Sequence, residues 1–164
     1  MSKKPSKDLL KFLKPFSPEI QELALWLRDF VWDNYPDSNE LIYDGYNALA
    51  FGWSTSDKQG ETFCSVGVYG NENVHFGFYR GAEIPDYDKI LLGNGKQYRY
   101  IKVANKKDFP KAKILKLTKY AHTLSLTRLK DNKQVVKGQV ITKADVPKKK
   151  RPIKSEKLKM KSGK

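Results

Sequence analysis

Two amphipathic helical stretches enclose a run of short β-type segments, and that order constrains the fold more than any other feature of the chain. From Asn47 to Val103, aromatic and β-branched residues come in short runs bounded by Gly, Asn and Asp, the pattern of strands joined by turns. Strands are expected over 47–54, 62–69, 73–80 and 97–103. The middle two form a hairpin with Gly70-Asn71-Glu72-Asn73 as its turn, which sets Tyr69 opposite Val74 and Cys64 opposite Tyr79. In that register Cys64 and His75 share a face about 13 Å apart, too far to hold one ion.

The first long helix starts at Ser17-Pro18-Glu19, where Ser caps free amides, Pro fits the first turn and Glu suits the positive end of the dipole. Ile20, Leu23, Ala24, Leu27 and Val31 fall on one stripe, and Pro36 ends the run after Tyr35. A shorter helix is expected over Lys7 to Leu13, broken by Pro15. A second long helix is expected over 108–126, capped by Asp108, with Pro110 in its first turn and Ile114, Leu117, Ala121 and Leu124 on one face. Between the strands over 73–80 and 97–103, Arg80 to Lys96 makes a long loop, a length that in compact domains accompanies function or close packing.

Length leaves room for one domain with its own core: 164 residues, 18.9 kDa. The net charge of +14 is unevenly placed. Residues 1–14 carry five Lys and one Asp, and 127–164 carry 14 basic against three acidic residues, so 15–126 is nearly neutral at 13 against 14. Residues 1–14 therefore read as a basic arm with a short helix, 15–126 as the globular unit, and 127–164 as a Lys-rich extension with one strand over 134–141 and a disordered end. Cys64 is the sole cysteine, which excludes an intrachain disulfide and points to the cytosol. No signal-peptide or membrane-spanning apolar run is seen, so no membrane partner is expected.

Enzyme motifs are absent from the pattern. With only His75 and His122, and no Cys-x-x-Cys, His-Glu-x-x-His or Gly-x-Ser-x-Gly, neither metal hydrolysis nor triad chemistry has a constellation to work with. Gly93-Asn94-Gly95-Lys96 lacks both the leading Gly and the following helix of a phosphate-binding loop, and reads as a turn. A non-enzymatic binding domain is the expectation.

Three groups of charged residues offer binding chemistry. Glu22, Asp29 and Asp33 lie within about 40° of one another on the polar side of the first long helix, with Asp37 and Glu40 just beyond it. Such carboxylates either form a solvated face or hold a hard or borderline cation weakly, suited to handing it on. Arg80, Lys96 and Arg99 bracket the long loop; they either converge on an anion or small ligand, or tie the loop to Glu83, Asp86 and Asp88. Lys148, Lys149, Lys150 and Arg151 either neutralise nucleic-acid phosphates weakly and without sequence preference, or merely solubilise.

His75-Phe-Gly-Phe-Tyr-Arg-Gly-Ala-Glu-Ile-Pro-Asp86, followed by Leu91-Leu-Gly-Asn-Gly-Lys-Gln-Tyr-Arg-Tyr-Ile-Lys-Val103, resembles the YdhG-like family of domains of unknown function. Glu40 to Leu49 and the Ser17-Pro-Glu helix start extend the resemblance over roughly residues 8–126. It implies an α+β fold, helices packed on one antiparallel β-sheet with a frataxin-like outline. Because some relatives are described as iron chaperones, it also implies weakly bound iron rather than a tight cofactor, and a metal-acceptor protein as partner. The matching Arg80, Gly81, Pro85, Asp86, Gly95 and Arg99 are loop-shaping types. The carboxylate assignment to iron rests on helix geometry and frataxin-like analogy.

Overall fold

A computed structural model describes residues 3–147 and 149. Both N-terminal helices start where a serine can cap them. Ser6 Oγ accepts the Leu9 amide at 3.1 Å to open α1 (Lys7–Leu13), and Ser17 Oγ accepts that of Ile20 at 3.4 Å to open α2 (Pro18–Asn34). The strands are β1 (Asn39–Asp44), β2 (Ala48–Ser54), β3 (Thr62–Tyr69), β4 (Val74–Tyr79), β5 (Tyr98–Lys102) and, after α3 (Lys111–Thr127), β6 (Val140–Asp145). They form one sheet in the order β5-β4-β3-β2-β1-β6, antiparallel throughout except for β6, which runs parallel to β1. The architecture is thus α+β, with a mostly antiparallel six-stranded sheet.

One sheet face carries the core. Leu49, Phe51 and Trp53 of β2, Val66 and Val68 of β3, and Phe76 and Phe78 of β4 are buried with Leu23, Leu27 and Val31 of α2 and Ile114, Leu117 and Ala121 of α3. Leu9, Phe12 and Leu13 of α1 complete the same cluster. Aromatic edges lock the layers: Phe30 of α2 meets Phe76 at 6.1 Å and Phe109 at 5.1 Å between ring centroids. Among the described residues no helix is long and apolar enough to cross a membrane.

Several expectations change in detail. The hairpin register is Val68 opposite Val74 and Cys64 opposite Phe78, one residue away from the expected pairing, because the turn holds three residues, Gly70 to Glu72, and the Tyr69 amide bonds the Asn73 carbonyl at 2.9 Å. A one-residue slip reverses faces. Cys64 therefore points into the core, while His75, opposite Gly67, lies on the other side of the sheet. β1 has no counterpart in the expected elements, since its core-side Glu40 hides the apolar alternation.

The strand expected over 134–141 lies at Val140–Asp145. The preceding stretch crosses the start of β1 through irregular bonds, with Asn39 Nδ2 donating to the Val136 carbonyl at 2.8 Å and the Gly138 amide to Ser38 at 2.9 Å. At Gly138, φ is +68°, a conformation that continued β structure does not adopt. β6 thereby adds residues of the Lys-rich extension to the sheet edge. α3 begins later than expected, with Pro110 at its cap position and no side-chain cap. Asp108 instead closes a turn with Asn105, whose Oδ1 accepts the Asp108 amide at 2.8 Å. The expected disordered end lies outside the described residues.

Candidate functional site: a tyrosine-walled cleft

The face of the sheet away from the helices has a different composition at every alternate position. Register places Ala50 opposite Gly67 and Gly67 opposite His75, then Gly52 opposite Ser65 and Ser65 opposite Gly77. Ala48, Ala50, Ser65 and Gly67 leave the face low, and the rings of Tyr69, Tyr79 and Tyr98 lie beside and across it. The result is a cleft of about 640 Å³, lined by Ala48, Ala50, Ser65, Gly67, Tyr69, Tyr79 and Tyr98, with Gln59, Gly60, Arg80, Gln97 and Arg128 toward the rim.

Tyr98 depends on the missing side chain of Gly77. A Cβ on Gly77 would sit 2.4 Å from the Tyr98 ring, so the ring lies across the glycine. Tyr69 approaches Gly67 in the same way, its ring 3.2 Å from a Cβ placed there. Beyond the floor runs an aromatic band: Tyr98 stacks on Tyr100 at 5.5 Å and 16°, and Tyr100 on His75 at 4.3 Å and 12°. Tyr69 closes the band at 4.6 Å from His75.

Burial pushes the phenols of Tyr69, Tyr79 and Tyr98 up from their ordinary value, against the opposing hydrogen bonding of Ser65 to Tyr79 and Tyr98. They are neutral at physiological pH, offering ring faces and hydroxyl donors rather than charge. Burial, with nearby Lys102, lowers the His75 imidazole, and its Nδ1 is buried without a hydrogen-bond partner.

Charge enters at one end. Arg80 follows β4 in the left-handed conformation, φ +55°, and its Nε lies 3.3 Å from Glu83. Arg128 caps the C-terminal end of α3, and its Nε is buried with no hydrogen-bond partner among the described residues. Burial and then Arg80 lower its affinity for a proton, while Glu83 and Glu61 act the other way. A second groove of about 420 Å³ shares Arg128 and is lined also by Lys58, Lys130 and Lys133.

The expected anion group is corrected. Arg80 lines the cleft, but Lys96 is exposed in the loop, and Arg99 lies opposite Phe78 on the core side of β5, its Nε donating to the Gly95 carbonyl at 3.1 Å. Asp86 holds the loop through backbone, its two oxygens taking the Ile90 and Leu91 amides at 3.1 and 2.9 Å. Gly81 sits where a Cβ would be 2.7 Å from that of Arg99. These residues therefore shape the loop that presents Gln97 and Tyr98. Arg128 takes the place assigned to Lys96 and Arg99; its sequence signal, a cation ending α3, was masked by the Lys-rich run around it.

The five carboxylates do not converge. Glu40 is the clearest correction: it is fully buried, with Arg28 Nε at 3.0 and 2.9 Å from its oxygens, Arg28 Nη2 at 2.8 Å and Trp32 Nε1 at 3.3 Å. Arg28 also donates to the carbonyls of Lys3 and Lys4, so this carboxylate anchors the N-terminal arm to α2 and β1. Burial, the largest influence, pushes the Glu40 carboxyl above its usual range despite Arg28. Glu22 is exposed and paired with Lys106, which lowers its carboxyl. Asp29 is half-exposed, and Asp33 and Asp37 are exposed. Among the described residues no three His, Cys, Asp or Glu side chains form a group that could hold a metal ion.

Of the tail cations, Lys149 is engaged by Asp44 and, at 2.8 Å, by Asp145. Lys148, Lys150 and Arg151 lie outside the described residues. His122 is half-buried between Tyr35 and Phe63, 4.8 and 4.9 Å from their ring centroids. Compared with protein-family models, curated proteins and solved structures, the chain gives no match.

Proposed function

We propose that this chain is a non-enzymatic small-molecule-binding domain whose ligand carries a planar body and a negative charge, held in the cleft on the open face of the sheet. The observation that carries this reading is a tyrosine-walled cavity that has the side chains of Arg80 and Arg128 among its lining. A guanidinium beside neutral tyrosine faces suits an anionic group on a planar ligand. Neutral tyrosines supply stacking faces, and a volume of about 640 Å³ is in the ordinary range for small-ligand sites.

The blocks that carry the YdhG-like resemblance support the same place. They run through β4, the Arg80 loop and β5, which supply Tyr79, Arg80, Gln97 and Tyr98 to the cleft. Kinship with that family, its frataxin-like outline and a cytoplasmic setting belong to this proposal. The ligand reading is preferred to metal delivery because Glu40 is committed to Arg28 and Glu22 to Lys106.

Calorimetric titration with 2-naphthoate, a planar monoanion, tests it. Saturable binding is expected, weakened about tenfold or more by Arg128→Gln and by Tyr98→Ala, and unchanged by Lys96→Ala. Absence of binding to the wild type, or equal binding by the Arg128 and Tyr98 variants, overturns it.

A further inference from the structure

The tyrosine cleft and the basic groove meet at one side chain. Arg128 lines both, so the two cavities adjoin at its side chain. Four cations, Lys58, Arg128, Lys130 and Lys133, face two carboxylates there, Asp57 and Glu61. Glu61 is already engaged, accepting the Ser56 hydroxyl at 2.8 Å. The surplus of two positive charges is more than one carboxylate balances and suits a polyanionic group such as a diphosphate. The tyrosine walls are accompanied by the amides of Gln59 and Gln97 and the hydroxyl of Ser65, groups that can meet the polar edge of a heteroaromatic ring as well as its face.

Resting on the binding reading above, we propose that the ligand is a nucleoside diphosphate or triphosphate, its base between the tyrosines, its first phosphate at Arg128 and its further phosphates in the Lys58, Lys130 and Lys133 groove. Single-stranded nucleic acid shares the chemistry of bases and phosphates. The cleft favours the mononucleotide, because its floor is closed to one side by the Tyr98, Tyr100 and His75 band, whose rings stack on one another rather than standing free for successive bases.

The full-length chain is titrated at physiological salt with the ADP, GDP, CDP and UDP series, with the corresponding nucleosides, with inorganic pyrophosphate, with a uridine decanucleotide and with 2-naphthoate. At least one nucleoside diphosphate is expected to bind about tenfold or more tightly than its nucleoside and than pyrophosphate. Lys130→Ala combined with Lys133→Ala should weaken that diphosphate about tenfold and leave 2-naphthoate unchanged, since both side chains are exposed and border only the groove. Arg128→Gln should weaken both.

Failure of the two readings looks different. If 2-naphthoate binds but no diphosphate exceeds its nucleoside, or the double lysine variant binds it as well as wild type, the nucleotide assignment falls and the cleft remains. If neither class binds, both fall. Pyrophosphate binding as tightly as the diphosphates places the affinity in dispersed basic charge and overturns the proposal, as does a decanucleotide that binds more tightly than every mononucleotide. Circular dichroism and the unfolding midpoint of each variant exclude loss of fold as the cause of weaker binding.

Discussion

Phe76 and Gly77 are consecutive residues of β4, yet they stand at the centres of two unlike surfaces. Phe76 is fully buried beneath the helices against Phe30, Phe78 and Phe109, whereas Gly77 faces the opposite side and is covered by the ring of Tyr98. The same alternation separates Phe51 from Ala50 and Val66 from Gly67. One face is filled with large apolar side chains and carries stability. The other is emptied by small ones, and what the emptiness leaves is space bordered by tyrosine and arginine. A sheet covered on one side only has freedom to build a site on the other, because removing bulk there costs little burial.

The sharpest test of that division is Phe76→Ala, which removes a ring packed on three others and should lower stability by about 4 kcal/mol, measured by urea unfolding. A loss under about 1 kcal/mol would mean that the covered face is not the stabilising one. On the open face, Gly77→Ala should cost roughly 1–3 kcal/mol by driving its new methyl into Tyr98. Because that cost is a clash, Tyr98→Ala in the same chain should relieve it, so the double variant loses less than the sum of the singles. Strict additivity would show that the glycine serves the strand and not the ring.

The smallest effect is a pH dependence. His122 in its aromatic setting is shifted below its ordinary 6.5 by burial, and His75 below the same value by burial and Lys102. In each case the unfolded chain takes up a proton more readily than the folded one. Stability is therefore highest above pH 6.5 and declines as pH falls from there toward the folded-state values. Unfolding midpoints between pH 7.5 and 5 should show that decline, and His122→Phe should flatten it, with His75 retaining a share. A slope unaffected by His122→Phe would assign the acid sensitivity elsewhere.

Local chemistry made much of the fold legible in advance. Ser6 and Ser17 cap their helices through bonds to residues three positions on, and Tyr35-Pro36 ends α2, so those boundaries depend on a few neighbouring atoms. β3 runs over Thr62–Tyr69, as the aromatic and β-branched run predicts, and β2, β4 and β5 fall within a residue of the expected limits. Where a distant partner had to be known, the sequence was silent. Glu40 reads as a surface carboxylate until Arg28, twelve positions earlier, is brought against it, and that pairing is what lets β1 lie in the sheet. The hairpin register turned on whether the turn held three residues or four, a single residue that decided which side of the sheet receives Cys64 and which receives His75. Likewise, α3 could be predicted without its end being aimed at the open face, where Arg128 meets Arg80 and the tyrosines. The sequence by itself determined where helices and strands begin and what each is made of, because caps, turns and periodicity act over a few residues. Only the tertiary structure decided which charges are buried, which strand faces which, and that small residues and three tyrosines from separate strands make one cleft, because those are properties of surfaces brought together by packing.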